Sequence, residues 1–236
     1  GRGKPLKWSG AGPFEIIENL DDLEGGGKLY SCKIIRWFAY MLLLFDTVED
    51  GERHRTRIRF SNIYDGVEFT WRREAPSDTA GYVDLSTTPG EIVAVEPLGN
   101  DLIIYKTDSI YRLVFAPQYL PEGTTIPFQI QAIEAEGFND GAIGMNAVLA
   151  RQNDHIFVGR RGIYLFDGLR FDAQIGLAIK DDYFSVLRND RLDDIFIIQR
   201  PDKNEIWITR PSTPSDVFYV LCEERFWVKV TAPPNI

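Results

Sequence analysis

The chain has 236 residues, of which 44% are apolar, so it is long enough to bury a sizeable core. Its formal net charge of −9 disfavours a general nucleic-acid binder, because phosphate affinity comes from clustered Lys and Arg. Its two cysteines, Cys32 and Cys222, are too few for a disulfide framework to hold the fold. The aromatic content of 13% favours strands, because flat, stiff side chains pack well on pleated surfaces.

The first 32 residues are predicted to form an irregular arm and loop, and residues 33–236 a single β domain. Gly and Pro are frequent in residues 1–13, which is typical of irregular or edge structure. We expect no signal peptide, because no apolar segment follows residues 1–6. We also expect no membrane span, because the longest apolar run, residues 37–45, is far too short.

Residues 34–45 are densely apolar and fit either a buried helix or two strands. We favour two strands, because a similar order of apolar strand, brief link and second apolar strand recurs at residues 92–105 and 147–158. Strands with apolar residues at every position are covered on both faces.

Four arginines lie two residues apart in the next strand: Arg53, Arg55, Arg57 and Arg59. On a strand, this spacing places all four guanidinium groups on one face over about 20 Å. The stripe has two candidate functional contacts, one with acidic groups of a neighbouring subunit and one with DNA in a channel. An acidic protein offers arginines many partners, which favours the subunit contact. We favour over both contacts a solvated outer face with exposed ion pairs of little energetic value.

A hairpin-forming stretch occurs twice, at residues 100–113 and 153–166. Each copy runs from an Asn-Asp pair through an apolar strand and a four-residue turn to an Ile-Tyr strand. Asp101 and Asp154 are 53 residues apart, and so are the equivalent tyrosines. Strands this short cannot bury their apolar faces alone, so such units must stack on one another. The repeat therefore predicts an array of small antiparallel sheets.

The last part of the chain has the pattern of a complete four-stranded meander. Its predicted strands are 195–199, 205–209, 217–222 and 226–230. Four strands per meander is the composition of a propeller blade, and roughly sixteen to eighteen strands in all would make four or five blades. We therefore predict an all-β fold, a β-propeller of about four to five blades with an irregular N-terminal arm. The best candidate for a helix is the short segment 179–189.

No catalytic, cofactor-binding or metal site is predicted, so we do not expect an enzyme. The aspartate pairs at 181–182 and 193–194 lack the spacing of a calcium loop and are interpreted as turn and cap residues. His54 and His155 have no second histidine or cysteine at ligand spacing. Four aromatic residues are predicted to pack between sheets, with sugar stacking as the minor alternative: Tyr111, Tyr164, Trp207 and Trp227.

Residues 90–113 resemble a segment of tailed-phage virion proteins, in which an apolar strand, a Leu-Gly turn, a second apolar strand and a Ser-Ile-Tyr return follow in order. Residues 155–168 and 57–61 carry the same resemblance. Together these segments are similar to the β-propeller tail nozzle proteins of short-tailed bacteriophages, the tail tubular protein B and packaged-DNA-stabilisation group, over residues 33–230.

The resemblance implies a structural component of the virion tail, assembled in the cytoplasm of the bacterial host. It implies a homohexameric ring below the portal and adaptor proteins, which closes the channel that retains packaged DNA and opens for ejection.

The alternative function is a carbohydrate-binding or glycoside-cleaving propeller with its site in a central pocket. A glycosidase needs two carboxylates that converge across a pocket, and no such pair stands out in the sequence. Several Asp, Glu and aromatic side chains around one concave pocket would favour this alternative. A WD-repeat scaffold is disfavoured, because neither Gly-His nor Trp-Asp recurs at blade spacing.

Overall fold

The regular secondary structure of the protein is mainly β-strand, with 47% of residues in strands and 8% in helices. The computed structural model describes residues 3–121, 125–134, 138–212, 215–223 and 226–231. Within these residues the strands form a two-stranded ribbon and four four-stranded sheets. In every four-stranded sheet the neighbouring strands are also consecutive along the chain, so each sheet is a meander. The predictions of an all-β fold and of antiparallel meanders are confirmed.

The ribbon pairs β1 (Leu6–Lys7) with β2 (Glu15–Ile16). Sheet 1 consists of β3 (Leu29–Phe38), β4 (Met41–Glu49), β5 (Glu52–Phe60) and β6 (Gly81–Asp84). Sheet 2 consists of β7 (Ile92–Leu98), β8 (Asp101–Lys106), β9 (Ile110–Tyr119) and β10 (Thr125–Ala132). Sheet 3 consists of β11 (Val148–Ala150), β12 (His155–Val158), β13 (Ile163–Phe166) and β14 (Phe171–Asp172). Sheet 4 consists of β15 (Ile197–Arg200), β16 (Glu205–Arg210), β17 (Val217–Cys222) and β18 (Phe226–Thr231).

The chain divides into two compact units. The first comprises Gly1–Ile92 and Leu113–Gln131, and the second comprises Val93–Arg112 and Ala132–Ile236. The predicted division into residues 1–32 and 33–236 stays a prediction. Residues 1–2 and 232–236, at the outer ends of those two segments, lie outside the described residues.

The apolar stretch 34–45 forms two strands, as predicted, and not a helix. Strands β3 and β4 are joined by a two-residue hairpin in which Phe38 pairs with Met41. Both turn residues, Ala39 and Tyr40, have positive φ values of 50° and 61°. Such a turn matches the twist of the flanking strands but normally uses Asn or Gly. Packing of the strands therefore imposes the turn against the local preference of its residues.

The N-terminal loop, residues 17–23, belongs to the core of the first unit. Ile17, Leu20 and Leu23 are buried and pack with Leu42 and Leu44 of β4. The loop is fixed to sheet 1 by the backbone hydrogen bond from the N–H of Leu29 to the carbonyl oxygen of Leu20, at 2.7 Å. Part of the segment predicted as an irregular arm and loop thus covers one face of the sheet.

The repeated hairpin is confirmed in the second unit. The β8–β9 turn is closed by a hydrogen bond from the N–H of Lys106 to the carbonyl oxygen of Ser109, at 2.8 Å. The β12–β13 turn is closed at equivalent positions by the N–H of Gly159 and the carbonyl oxygen of Gly162, also at 2.8 Å. The two copies therefore fold alike down to the hydrogen bond of the turn.

Equivalent residues of the two hairpins pack on the sheet that follows. Ile103 of β8 lies in an apolar core that sheet 2 shares with sheet 3. Its equivalent, Ile156 of β12, lies in the core that sheet 3 shares with sheet 4. Because side chains alternate along a strand, the next residue, Phe157, points back to the core with sheet 2. Sheet 3 is thus covered on both faces.

A buried polar link also joins β8 to β12. The hydroxyl of Tyr105 lies 2.8 Å from Nδ1 of His155, and Nε2 of His155 lies 2.9 Å from the carbonyl oxygen of Pro97. A carbonyl can only accept, so Nε2 carries the proton and the Tyr105 hydroxyl donates to Nδ1. Burial lowers the pKa of His155, which keeps this imidazole neutral and in a structural role.

The helix predicted over residues 179–189 is wrong in its extent. Helix α1 (Gln174–Leu177) precedes that segment, and α2 (Lys180–Phe184) fills only its first part. A 3-10 segment follows at Asn189–Asp194. Helices this short depend on packing more than on propensity. The anchor of α2 is Tyr183, which is fully buried and donates its hydroxyl to the carbonyl oxygen of Thr209 at 2.7 Å.

Among the described residues, no helix has the length and apolar character needed to span a membrane. Both cysteines are free thiols, Cys32 buried in sheet 1 and Cys222 partly exposed in sheet 4. Burial raises the pKa of the Cys32 thiol to about 12.

Phe157→Ala should lower the free energy of unfolding by about 3–5 kcal/mol, because it leaves a cavity in the core between sheets 2 and 3. The matched control is Phe14→Ala, since Phe14 is largely exposed and its loss should cost no more than about 0.5 kcal/mol. Urea denaturation followed by circular dichroism measures both values. Equal losses in the two variants would contradict the stacked arrangement.

Candidate functional site

The predicted arginine stripe lies on β5, an inner strand of sheet 1. We call its four members the arginine ladder: Arg53, Arg55, Arg57 and Arg59. The four side chains differ widely in exposure. The side chain of Arg59 is 2% exposed, whereas that of Arg55 is 62% exposed. The ladder thus has a buried half, Arg57 and Arg59, and an accessible half, Arg53 and Arg55.

Glu49, at the end of β4, holds the buried half. Its carboxylate accepts from Nε and Nη2 of Arg59 at 2.8 and 2.6 Å and from Nη1 of Arg57 at 2.9 Å. The hydroxyl of Thr47 donates a further hydrogen bond at 2.8 Å. Burial alone would raise the pKa of Glu49, but these donors and the charge of Arg59 outweigh it, so the pKa lies below its ordinary value.

Strand β6 supplies the other partners of the buried half. In the antiparallel register, Asp84 lies directly opposite Arg57, and Tyr82 lies opposite Arg59. Nε and Nη2 of Arg57 donate to the two carboxylate oxygens of Asp84 at 2.9 and 2.8 Å. Both guanidinium groups also lie over the ring of Tyr82, at 4.1 Å for Arg57 and 5.0 Å for Arg59. Stacking on one ring places both side chains on the same face, as the period-two spacing predicts.

A bulge in β4 provides the carboxylate for Arg53. The pairing of β4 with β5 shifts register between Phe45 and Thr47, and Asp46 adopts a positive φ of 52°. Aspartate tolerates this left-handed conformation better than most residues. The buried carboxylate of Asp46 accepts from Nε of Arg53 at 2.7 Å and also from its Nη2. The Asp46 bulge thus turns a carboxylate toward the ladder.

Glu91 is the carboxylate partner at the accessible end of the ladder. It lies 2.9 Å from Nη1 of Arg55 and 4.0 Å from Nη2 of Arg53. Each ladder arginine therefore has a carboxylate partner in its own chain, and the ladder is balanced by four acidic residues: Asp46, Glu49, Asp84 and Glu91. A neighbouring subunit or DNA would have to compete with these pairs. The predicted contact with either stays a prediction.

Sequence reasoning missed these partners, although the sequence contains a signal for two of them. Asp46 and Glu49 are the only charged residues of the otherwise apolar or neutral strand β4, and they immediately precede the arginines. In a hairpin, charges so placed can meet across the strands. The other two carboxylates are separated from the ladder by long loops and carry no local signal.

The first unit also contains a cleft of about 400 Å³ with several acidic walls, which we call the acidic cleft. Its carboxylates come from the N-terminal loop and from the loops after β5: Asp22, Asp65, Glu68, Glu74 and Asp78. Two of them hold loop backbone in place. Asp78 accepts from the N–H groups of Glu74 and Ala75 at 2.8 and 2.9 Å, and Asp65 accepts from that of Val67 at 2.9 Å.

The aromatic wall of the acidic cleft offers no stacking surface. Trp71 is fully buried, and its indole N–H donates to the carbonyl oxygen of Glu18 at 3.0 Å. Asp22 faces Arg72 at 3.4 Å. Within the described part of the chain, the side chains of the other two cleft carboxylates, Glu68 and Glu74, form neither a hydrogen bond to loop backbone nor an ion pair. The acidic cleft thus has the several carboxylates expected around a carbohydrate site, but it lacks an exposed aromatic ring on which a sugar could stack.

The remaining predicted residues are dispersed in the fold. Asp181 and Asp182 lie in the first turn of α2, but no side-chain hydrogen bond caps this helix. Asp182 instead accepts from the hydroxyl of Tyr219 at 2.5 Å and from Nζ of Lys229 at 2.7 Å. Among the residues described, no group of three or more His, Cys, Asp or Glu side chains is arranged to hold a metal ion.

No protein-family model matches the chain, and no curated protein is significantly similar to it.

Arg59→Gln should lower the free energy of unfolding by about 3–5 kcal/mol, because it leaves the buried carboxylate of Glu49 without its main partner. The matched control, Arg55→Gln, removes an exposed partner of Glu91 and should cost at most about 1 kcal/mol. Urea denaturation at neutral pH measures both. A similar small loss in the two variants would contradict the internal role of the buried half.

The contribution of Glu49 should depend on pH. Because its pKa is depressed in the folded state, the stabilisation is fully present above the ordinary value of 4.5 and is lost as pH falls through the folded pKa. Glu49→Gln should therefore be less stable than the parent at pH 7, and this difference should narrow below pH 4.5. Urea midpoints measured from pH 7 to pH 3 test this. A constant difference over that range would contradict it.

Proposed function

We propose that the four meanders are blades of a β-propeller and that the chain is a non-catalytic structural component of a bacteriophage tail, a nozzle or hub-like ring. The observation that carries the proposal is the repeated packing in the second unit. Equivalent residues of consecutive sheets, Ile103 and Ile156, each point into the core with the next sheet. Successive blades of a propeller pack in this way. The sequence resemblance to tail nozzle proteins supports the same function.

In this function, copies of the chain assemble into a ring, six copies by the resemblance, between other tail or portal and adaptor proteins. The ring surrounds a channel that holds packaged DNA, and the particle assembles in the bacterial cytoplasm before it becomes part of the virion.

The accessible half of the arginine ladder is the part that a neighbouring subunit can reach. A carboxylate of the neighbour would replace Glu91 as the partner of Arg55. A subunit contact fits better than a DNA contact, because internal carboxylates already neutralise the ladder and the chain carries a net charge of −9.

The second candidate function is the binding or cleavage of a carbohydrate, and the acidic cleft is the observation that favours it. Its volume of about 400 Å³ accommodates a small ligand. Glu68 and Glu74 are the carboxylates from which such chemistry would start, since they are not committed to holding the loops.

The assembled mass separates the two functions. The structural function predicts a closed ring, a particle of several 27.0-kDa chains with a central channel, in native mass spectrometry and negative-stain electron microscopy. The carbohydrate function predicts a monomer that binds or hydrolyses a polysaccharide, with at least a roughly hundredfold loss of activity in Glu68→Gln or Glu74→Gln. A monomer with such activity would overturn the proposed ring.

A further inference from the structure

The first unit contains a second pocket, which is smaller than the acidic cleft and different in chemistry. It has a volume of about 290 Å³, and its lining is apolar or aromatic apart from Arg73. We call it the Arg73 pocket, and its other lining residues include Phe60, Tyr82, Val83, Ile126 and Phe128. All the lining residues belong to the first unit, so the pocket is formed within one compact body.

Two edge strands supply most of the apolar walls of the Arg73 pocket. In the described sheets, β6 and β10 each pair with one neighbouring strand only. Tyr82 and Val83 come from β6, and Ile126 and Phe128 come from β10. The ring of Phe60 on β5 meets that of Phe128 edge to face, with the ring centroids 5.3 Å apart. Both phenylalanines are 6% exposed, so core packing fixes the apolar base of the pocket.

Backbone carbonyl groups hold the guanidinium group of Arg73 at this pocket. Its Nε donates to the carbonyl oxygen of Ala80 at 2.6 Å, and its Nη2 donates to that of Thr125 at 3.3 Å. Gly81 leaves room for this arrangement, since a Cβ at Gly81 would lie 3.2 Å from Nη2 of Arg73 and 3.3 Å from the ring of Phe60. The charged group and the apolar base therefore lie side by side.

Arg73 has no carboxylate partner in the described part of the chain. No Asp or Glu oxygen of the described residues lies within 4.0 Å of its guanidinium group, whereas each ladder arginine has such a partner. Its two hydrogen bonds to neutral carbonyls use Nε and Nη2, which leaves Nη1 without an acceptor among the described residues. The Arg73 pocket thus presents one uncompensated positive charge beside an apolar surface.

A ligand that matches this pocket combines an apolar body with a single negative charge. The planar guanidinium group suits the geometry of a carboxylate. A phosphate ester is a poorer match, because it carries almost two negative charges and needs more donors than one arginine supplies. A volume of about 290 Å³ corresponds to roughly ten water-sized groups of about 30 Å³ each. This is the size of a carboxylic acid with an apolar chain of about eight carbons.

We propose that the Arg73 pocket binds a small apolar carboxylate, whose charged group pairs with Arg73 and whose body packs against Phe60, Ile126 and Phe128. The site is distinct from the arginine ladder and from the acidic cleft, and it goes beyond the proposed structural function. It does not depend on formation of a ring, because the first unit alone supplies its walls. A mainly apolar concavity with one oriented charged group is the usual form of a small-molecule site.

Octanoate and octanol form the first comparison, because both have an eight-carbon chain, about the size the pocket accommodates, and they differ in charge. The full chain should bind octanoate with a dissociation constant of roughly 0.1–1 mM, which is typical of a ligand this small, and octanol about tenfold more weakly. Titrations at neutral pH, followed by heteronuclear NMR spectra of the protein, measure both constants.

Arg73→Gln tests the role of the charge. It should weaken octanoate binding by roughly tenfold and remove the preference over octanol, because the charge-assisted hydrogen bonds are lost. Octanol binding should stay as in the parent chain, which shows that the apolar walls are intact in the variant. Arg73→Lys keeps the positive charge and should retain part of the preference for octanoate.

Ile126→Trp tests the location of the site. Ile126 is 39% exposed and lines the pocket, so a larger side chain there should exclude octanoate and weaken its binding by roughly tenfold or more. The matched control is Ile16→Trp, since Ile16 is 56% exposed, lies on β2 and is not part of the pocket lining. This control should bind octanoate like the parent chain.

The outcomes decide the inference separately from the proposed function. Octanoate binding that is lost in Ile126→Trp, with a charge preference that is lost in Arg73→Gln, supports the site. Equal binding of octanoate and octanol by the parent chain, or an unchanged preference in Arg73→Gln, overturns the pairing with Arg73. Absence of octanoate binding up to about 10 mM, or undiminished binding in Ile126→Trp, overturns the pocket as the site. The assembled mass, which tests the proposed ring, bears on none of these results.

Discussion

The structure depends on one constraint: its central strands carry apolar side chains on both faces, so every sheet needs a cover on each side. Strand β4 is buried along nearly all of its length, and β12 along all of it. An isolated four-stranded sheet cannot meet this requirement, because both of its apolar faces would remain in water. The N-terminal loop covers one face of sheet 1, and sheets 2 and 4 cover both faces of sheet 3.

The buried ion pair of the first unit, between Arg59 and Glu49, must meet a second requirement, which is local to sheet 1. Removing Arg59 and Glu49 from water is costly, and their attraction offsets that cost only when the remaining donors and acceptors are satisfied. The network meets this condition through Thr47, Arg57 and the ring of Tyr82. These groups come from three adjacent strands, so a register slip in any of them would leave a buried charge unpaired. The ladder thereby favours a single pairing of β4, β5 and β6.

The two candidate functions place different demands on the same unit. A ring component needs rigid sheets and a surface that a neighbouring copy can reach, and in the first unit the accessible half of the ladder is exposed in this way. A carbohydrate site needs converging carboxylates and an exposed aromatic ring, but Trp71 is buried beneath the acidic cleft and Asp65 and Asp78 hold its loops. Within the described residues, the acidic cleft therefore lacks the exposed aromatic ring that a carbohydrate site needs.

The sequence by itself determined the local architecture. Period-two patterns and turn residues identified the strands of sheet 4 to within about two residues, and the 53-residue repeat identified two hairpins that fold alike. These features are local, because a hairpin forms between neighbouring strands. Only the tertiary structure decided which carboxylates neutralise the ladder, that Leu20 and Leu23 are core residues, and that Tyr183 anchors a single helical turn. These features depend on contacts between residues that are far apart in the chain. Which side chains become buried in such contacts cannot be read from the local sequence pattern.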